Sequence, residues 1–206
     1  LIPRANHAAV AHNGFLYVFG GAAGDENWIN HVEYAPVLAD GTVGTWTVTT
    51  SMPYPARKLE AFVHDNNVYL VGGNGTNGAI LDEVIYAPIN ADGSLGSWTE
   101  TTSLSLSCYE FALVVENDTV VLLGGGFDRR QTVEYASINS DGSIGPWQSG
   151  PDLLQLRGRH AAVLHGGTIF LIGGDGGSFD YVLDVEYSSI DASGTPGPWT
   201  AGIALS

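Results

Sequence analysis

The stretch "YVFGG" at residues 17–21 decides the fold, because it returns three more times along the chain. The later copies are "YLVGG" at 69–73, "VLLGG" at 121–125 and "FLIGG" at 170–174. The first glycines of the four pairs are separated by 52, 52 and 49 residues. An apolar run that ends at two glycines and recurs at such a period indicates a repeat protein.

A tyrosine and a tryptophan follow each glycine pair and set the boundaries of the repeat. They are Tyr34, Tyr86, Tyr135 and Tyr187, and Trp46, Trp98, Trp147 and Trp199. Each tryptophan lies 12 residues after its tyrosine in all four repeats. The third repeat is shorter than the others, as the spacing of 49 shows, and the missing residues fall between its glycine pair and its tyrosine, where we expect a loop. We therefore divide a single domain into repeats at approximately 1–53, 54–105, 106–154 and 155–206.

Each repeat has the pattern of four short strands, which we call A to D. In the first repeat, strand A is "HAAVAH" at 7–12. The two residues after strand A in each repeat suit the positive φ of a tight hairpin; they are Asn13-Gly14, Asp65-Asn66, Asn117-Asp118 and Gly166-Gly167. Strand B ends at the glycine pair, strand C is "HVEYAPV" at 31–37, and strand D begins near the tryptophan. No segment has a helical pattern. We predict an all-β chain with four four-stranded antiparallel sheets.

Composition and charge exclude several classes of partner. The chain has 22 acidic and 7 basic residues and a net charge of −15, which argues against binding to nucleic acid or to an anionic membrane surface. No apolar run reaches the roughly 18 residues of a membrane span, so we expect no membrane insertion. The single cysteine, Cys108, excludes an internal disulfide framework and is expected to be a buried, inert thiol.

A single sheet of this size cannot bury both of its faces, and radial packing of such sheets gives a β-propeller. The stretches "RANHAAVAHNGFLYVFGG" at 4–21 and "RGRHAAVLHGGTIFLIGG" at 157–174 resemble the kelch repeat family. The resemblance implies a kelch-type β-propeller, a fold that serves as scaffold, substrate receptor or enzyme. Kelch propellers usually have more than four blades. Four repeats therefore form a small ring, part of a larger ring, or a half-ring that a second chain completes.

Propeller topology places the D-to-A connections (DA loops) and the B-to-C loops (BC loops) on one face, and the AB and CD loops on the other. All seven basic residues fall in DA and BC loops, whereas the opposite face is acidic. The BC loops also vary in sequence, which is typical of binding loops on a rigid scaffold. The predicted ligand-binding residues are Arg4, Trp28, Arg57, Lys58, Phe127, Arg129, Arg130, Arg157, Arg159 and Tyr181. The alternative is that solvent surrounds these bases, and that Arg4 and Arg157 brace the start of a blade.

The predicted function is recognition of a protein, peptide or glycan ligand, with arginine forks for acidic groups and aromatic faces for sugars. Low lysine content favours an extracellular or cell-surface location, with the cytoplasm as the alternative. The kelch resemblance implies a second function, a sugar isomerase or mutarotase, for which Glu60, Arg57 and His160 are the candidate groups. The third alternative is a structural, self-assembling propeller fragment.

The residues that precede the four AB turns form the one pattern typical of a metal site. They are His12, His64, Glu116 and His165. Three imidazoles and a carboxylate on the axis of a narrow ring would bind a cation. The alternative is a set of polar residues that flank surface hairpins. No other cofactor is expected. In the CD loops, Asp40, Asp92 and Asp141 are expected to shape the turns through side-chain hydrogen bonds.

Overall fold

The structure, a computed structural model, describes residues 2–24, 27–126, 129–177 and 180–205. Within these ranges the chain is all-β, and its helical content is a 3₁₀ turn at Thr76–Gly78. The strands form four antiparallel sheets, one for each repeat; three of them have their strands in sequence order, and in the second the fifth and sixth strands of the chain both pair with the seventh. The prediction of an all-β chain with four four-stranded antiparallel sheets is confirmed, except that the second sheet gains a short fifth strand.

The first sheet contains β1 (Ala8–His12), β2 (Phe15–Phe19), β3 (Val32–Pro36) and β4 (Thr47–Val48). The second contains β5 (Ala56–Arg57), β6 (Glu60–His64), β7 (Asn67–Gly75), β8 (Ile80–Pro88) and β9 (Thr99–Glu100). The third contains β10 (Ala112–Glu116), β11 (Thr119–Leu123), β12 (Val133–Ser137) and β13 (Gln148–Ser149). The fourth contains β14 (Ala161–His165), β15 (Thr168–Ile172), β16 (Val185–Ser189) and β17 (Thr200–Ala201).

The AB hairpins use the residues that the sequence offered for them. The first residue of each turn has a positive φ, at Asn13 (46°), Asp65 (50°), Asn117 (50°) and Gly166 (56°). Asparagine, aspartate and glycine tolerate this left-handed conformation better than other residues. The hairpin turns were therefore predicted correctly.

The second glycine of each pair is required by close packing as well as by its backbone conformation. Gly21 has φ of 96°, and a Cβ there would lie 3.0 Å from the Cβ of His7. A Cβ on Gly125 would lie 2.6 Å from that of Phe111. In both cases the neighbour is the residue that leads into strand A. The second glycine therefore recurs because the residue that leads into strand A packs directly against it.

The four CD loops are closed by one repeated aspartate turn. The Asp40 carboxylate accepts bonds from the backbone N–H (2.9 Å) and the hydroxyl (2.6 Å) of Thr42. Asp92, Asp141 and Asp191 accept the same two bonds from the serine two residues later. These bonds hold the pKa of all four carboxyls below the usual value. The turn-shaping role predicted for Asp40, Asp92 and Asp141 is confirmed.

The chain divides into two compact units, Leu1–Ser107 with the first two sheets and Cys108–Ser206 with the last two. In the first unit, Tyr17, Phe19 and Met52 of the first repeat pack with Val68 and Leu70 of the second. In the second unit, the same positions of the third and fourth repeats form the core, namely Val121, Leu123, Leu153, Ile169 and Leu171. Full burial of each such side chain contributes about 1.5–3 kcal/mol.

Cys108 is buried, and its Sγ lies 3.4 Å from the carbonyl oxygen of Gly124. Burial raises the pKa of this thiol to about 12, which agrees with an inert structural cysteine. None of the helical segments in the described ranges has the length and apolarity that a membrane crossing needs.

Candidate functional site

In the first unit, a BC loop and a DA connection meet through Trp28 and Arg57. The Arg57 Cζ lies 4.6 Å from the centroid of the Trp28 ring, a cation–π arrangement. The Arg57 Nε also donates to the Asn74 side-chain oxygen at 3.3 Å. The sequence had placed Trp28 and Arg57 in loops that share one face, and the structure brings them into contact. The Arg57 guanidinium therefore contacts two side chains of the same unit, those of Trp28 and Asn74.

In the second unit, the equivalent loops meet in a network of ion pairs. Arg129 binds Asp175 with two parallel bonds, Nε to Oδ1 at 2.5 Å and Nη2 to Oδ2 at 2.9 Å. Its Nη1 lies 3.2 Å from Glu110 Oε2. Arg159, which is more than half exposed, contacts the same two carboxylates at 2.9 Å and 3.4 Å. The network ties two BC loops to two DA connections.

The pKa values of this network follow from its bonds. The Arg129 hydrogen bonds hold the pKa of Asp175 below its usual value, and the Asp175 bonds raise that of Arg129. Both groups therefore stay charged across the physiological range. A bidentate arginine–carboxylate pair is geometrically specific, so the network fixes the shape of these loops.

Arg4 and Arg157 brace the starts of their repeats, as the alternative interpretation expected. Arg157 is fully buried, pairs with the Glu186 carboxylate, and donates to the carbonyl oxygens of Gly173 (3.1 Å) and Asp184 (3.3 Å). Arg4 pairs with Glu33 at 2.6 Å and donates to two carbonyl oxygens in the same geometry. Both guanidinium groups are directed into their own repeats, where each pairs with a glutamate and donates to backbone carbonyl oxygens, although the Arg157 Nε has no hydrogen-bond partner among the described residues.

The other basic candidates have structural neighbours as well. The Lys58 backbone N–H donates to the Asn6 carbonyl oxygen at 2.8 Å, and Lys58 has a positive φ of 54°. The Arg130 carbonyl oxygen accepts a bond from the Arg157 N–H at 3.2 Å. Both side chains are half-buried. Phe127, the remaining aromatic candidate of the third BC loop, lies outside the described residues.

Tyr181 stands apart from these because its side chain is 84% exposed. It borders an open depression of about 390 Å³ in the second unit. All of the lining residues belong to DA and BC loops or to the position next to one; they are Gln131, Leu154, Gln155, Leu156, Gly176, Asp180, Tyr181 and Val182. The lining combines a phenol ring, leucines and a valine with two amides and one carboxylate, and it contains no basic side chain.

Most of this lining was missed by sequence reasoning, which selected Tyr181 alone. A signal was present in "DLLQLR" at 152–157, because three leucines are unusual in a connection between strands. Leu154 and Leu156 are both nearly half exposed in the structure. Asp175 and Glu110 were also missed, although "GGDGG" at 173–177 places an acid directly after the glycine pair.

The metal candidates do not gather into a ligand set. Across the part of the chain that the structure describes, no group of three or more His, Cys, Asp or Glu side chains is placed to hold a metal ion. His12 Nε2 lies 3.1 Å from Asn66 Oδ1, and His64 Nε2 lies 3.8 Å from Asp65 Oδ2. These contacts favour the interpretation of His12, His64, Glu116 and His165 as polar residues beside hairpins.

Two candidate groups for catalysis have strongly perturbed acidities. Burial raises the pKa of Glu60 to about 7. Burial, and then the nearby Arg157, lower the pKa of His160 to about 4, with the Leu123 backbone acting in the opposite direction. Both His160 ring nitrogens are buried without a hydrogen-bond partner among the described residues. Glu60 belongs to the first unit and His160 to the second, and both are neutral near pH 6.

Comparison with known proteins gives a similarity of fold. No family model matches the chain, and no curated protein matches it. Among solved structures, it is similar to the one titled "Structure of YjhT", with 15% sequence identity and a TM-score of 0.74. The match covers 97% of this chain and 69% of that chain. At this identity the similarity shows a shared fold and carries no information on ligand or activity.

Proposed function

We propose that this chain is a kelch-type β-propeller module that recognises a neutral carbohydrate through its DA and BC loops. The propeller assignment is supported by four repeats of one sheet, by the packing of consecutive sheets within each unit, and by the strand-B glycine pairs. We further propose an extracellular or cell-surface location, where glycan ligands are abundant. The proposal requires no cofactor.

The observation that carries the proposal is the depression beside Tyr181. Ligand sites combine apolar and aromatic surface with a few polar groups that orient the ligand. Here the exposed ring of Tyr181 offers an apolar platform with a polar tip, and Gln155 and Asp180 lie in the same lining. Leu154 and Leu156 add apolar surface that is otherwise costly to leave in water.

The charges favour a neutral ligand over an acidic one. Arg4 and Arg157 are buried in ion pairs, and Arg129 and Arg159 are held by Glu110 and Asp175. The lining of the depression has a carboxylate and no base. A net charge of −15 would also repel an acidic peptide or an acidic sugar. We therefore propose a neutral ligand ahead of the acidic ligand that arginine forks would bind.

The experiment is a screen of the labelled chain against an array of neutral and acidic glycans, with a peptide array in parallel. We expect binding to neutral glycans, and loss of that binding in Tyr181→Ala. The matched control is Leu38→Ala, which truncates another exposed apolar side chain, in a CD loop. Binding to acidic glycans or to peptides alone, or equal binding by Tyr181→Ala, would reject the proposal.

Glu60 supports a second candidate function, which is an enzyme that converts sugars by acid–base catalysis. The equivalent position is Ala8, Ala112 and Ala161 in the other repeats, so the sheet does not need a carboxyl there. A half-buried carboxyl whose pKa is about 7 is suited to proton transfer near neutral pH. Anomeric or epimeric conversion of free sugars, followed by proton NMR, should then disappear in Glu60→Gln and persist in the exposed control Glu100→Gln.

A further inference from the structure

We infer that Arg57 binds a small carboxylate ligand in the first unit, at a place where the second unit uses carboxylates of its own. Four other arginines pair with a carboxylate of the chain; they are Arg4, Arg129, Arg157 and Arg159. Arg57 has no carboxylate partner in the part of the chain that the structure describes. Its guanidinium contacts the Trp28 ring and the Asn74 amide, which are both neutral.

The two units build this place from equivalent residues. Asn6 and Lys58 of the first unit correspond to Glu110 and Arg159 of the second, because each lies two residues before the start of strand A. All four have a positive φ, of 54° or 56°. The Lys58 N–H donates to the Asn6 carbonyl oxygen at 2.8 Å, and the Arg159 N–H donates to that of Glu110 at 2.9 Å. The backbone of consecutive DA connections is therefore arranged alike in both units.

Asn74 corresponds in the same way to Asp175. Each lies two residues after the first glycine of its pair, and each forms a bridge to the DA connection, Asn74 with Arg57 and Asp175 with Gly158. The two carboxylates that hold the ion-pair network of the second unit, Glu110 and Asp175, are therefore both replaced by asparagines in the first unit. The first unit has a guanidinium at this place and lacks the acids.

The contacts of the two arginines show which acceptor is missing. In the second unit, Arg129 donates from Nε to Asp175 Oδ1 and from Nη2 to Oδ2. In the first unit, Arg57 Nε donates to Asn74 Oδ1 at 3.3 Å. The second bond has no counterpart, because an amide has one acceptor oxygen and the Asn74 Nδ2 itself donates to the Ala79 carbonyl oxygen at 3.2 Å. The terminal nitrogens of Arg57 therefore keep donors that a carboxylate would accept.

The Arg57 guanidinium is held in position without a ligand. Its Cζ lies 4.6 Å from the centroid of the Trp28 ring, and a guanidinium above a ring face keeps its edges available for hydrogen bonds. Its backbone is fixed as well, because Ala56–Arg57 is the additional strand of the second sheet and pairs with β7. A guanidinium that is already oriented loses little conformational freedom on binding.

The chemistry of the ligand follows from the residue that is replaced. Asp175 shows that a carboxylate fits an arginine at this place, and the planar guanidinium matches a carboxylate with two parallel bonds. The net charge of −15 repels a ligand with several negative charges more strongly than one with a single charge, so we expect a small monocarboxylate. This site is independent of the proposed carbohydrate site, whose lining belongs to the second unit.

The experiment is an NMR titration of the full chain with acetate in a buffer low in chloride, followed through the Arg57 Nε–H and the Trp28 indole N–H. We expect saturable shifts of both signals with acetate and none with acetamide, which has a similar shape and no charge. Arg57→Lys keeps the charge but lacks the fork, so it should bind acetate about tenfold more weakly or worse. No saturable shift with acetate, equal shifts with acetamide, or tighter binding of inorganic phosphate would overturn the inference.

A second variant supplies the missing carboxylate from inside the chain. Asn74→Asp gives the first unit the residue that the second unit has at Asp175, and it should therefore lose acetate binding while its circular dichroism spectrum matches that of the unmodified chain. The matched control is Asn90→Asp, which adds the same charge at an exposed CD-loop residue and should bind acetate like the unmodified chain. Equal acetate binding by the two variants would overturn the inference as well.

Discussion

The guanidinium of Arg157 and the carboxylate of Glu186 form an ion pair inside the fourth repeat, where neither side chain is more than 1% exposed. The first repeat has the same pair in Arg4 and Glu33. The second repeat has Ala56 and Ile85 at these positions, and both are fully buried. Equivalent positions in two repeats of one chain are thus occupied by a buried ion pair in one repeat and by two apolar residues in the other.

This comparison predicts how the fourth repeat responds to substitution. Arg157→Ala leaves the Glu186 charge buried and unpaired, which should lower the free energy of unfolding by about 3–5 kcal/mol. The double variant Arg157→Ala with Glu186→Ile copies the second repeat and should recover a large part of that loss. Urea unfolding followed by circular dichroism measures both. A double variant less stable than Arg157→Ala alone would contradict this prediction, because it would show that the buried Glu186 stabilises the sheet even without its arginine partner.

The glycine pairs allow a matched test of packing against backbone conformation. Gly14 and Gly21 both have a positive φ in the first repeat, at 79° and 96°. A Cβ on Gly14 meets nothing within 4 Å, whereas on Gly21 it would lie 2.8 Å from the Ala5 carbonyl oxygen. Gly14→Ala should cost about 1–2 kcal/mol, and Gly21→Ala should cost roughly 1–3 kcal/mol more. Equal melting temperatures of the two variants would refute the packing explanation.

Glu60 and His160 predict opposite dependences of stability on pH. The pKa of Glu60 rises on folding from 4.5 to about 7, so its favourable contribution is present below pH 4.5 and is lost as the pH rises to 7. The pKa of His160 falls on folding from 6.5 to about 4, so its contribution is present above pH 6.5 and is lost as the pH falls to 4. Each effect is on the order of 3 kcal/mol.

Replacing either Glu60 or His160 should leave the pH dependence of the free energy of unfolding that is due to the other residue. In Glu60→Gln, the free energy of unfolding should rise with pH between 4 and 6.5, as the unfolded state releases the His160 proton. In His160→Phe, which copies Phe111 of the third repeat, it should fall between pH 4.5 and 7. Urea titrations at intervals of pH measure this. Profiles of the two variants that share one slope would be inconsistent with these acidities.

Much of the fold was predictable because the same sequence pattern occurs in all four repeats. The hairpin turns, the ends of strand B and the aspartate turns each follow from local residue chemistry that is repeated at one register. The roles of Arg4 and Arg157 were harder to predict, because a bracing arginine and a binding arginine look alike in sequence. The useful signal was the glutamate partner, since the first and fourth repeats carry both residues and the second carries neither.

The depression beside Tyr181 was largely beyond the sequence. Its lining joins residues 154–156 of a DA connection to Gly176 and residues 180–182 of a BC loop, and it depends on loop conformations that the repeat pattern does not specify. The lack of a basic side chain in the lining could not be predicted either. It follows from which carboxylate each arginine contacts, and Glu110 and Asp175 are distant in sequence from Arg129.

The most direct test of the proposed recognition site is a titration of the isotope-labelled chain with the neutral oligosaccharide that binds best on the array, followed through backbone amide shifts. The proposal predicts shifts at residues 154–156, 176 and 180–182, with the CD-loop residues 38–44 and 90–96 unchanged. Shifts concentrated in the CD loops, or no shifts with any neutral oligosaccharide, would contradict it.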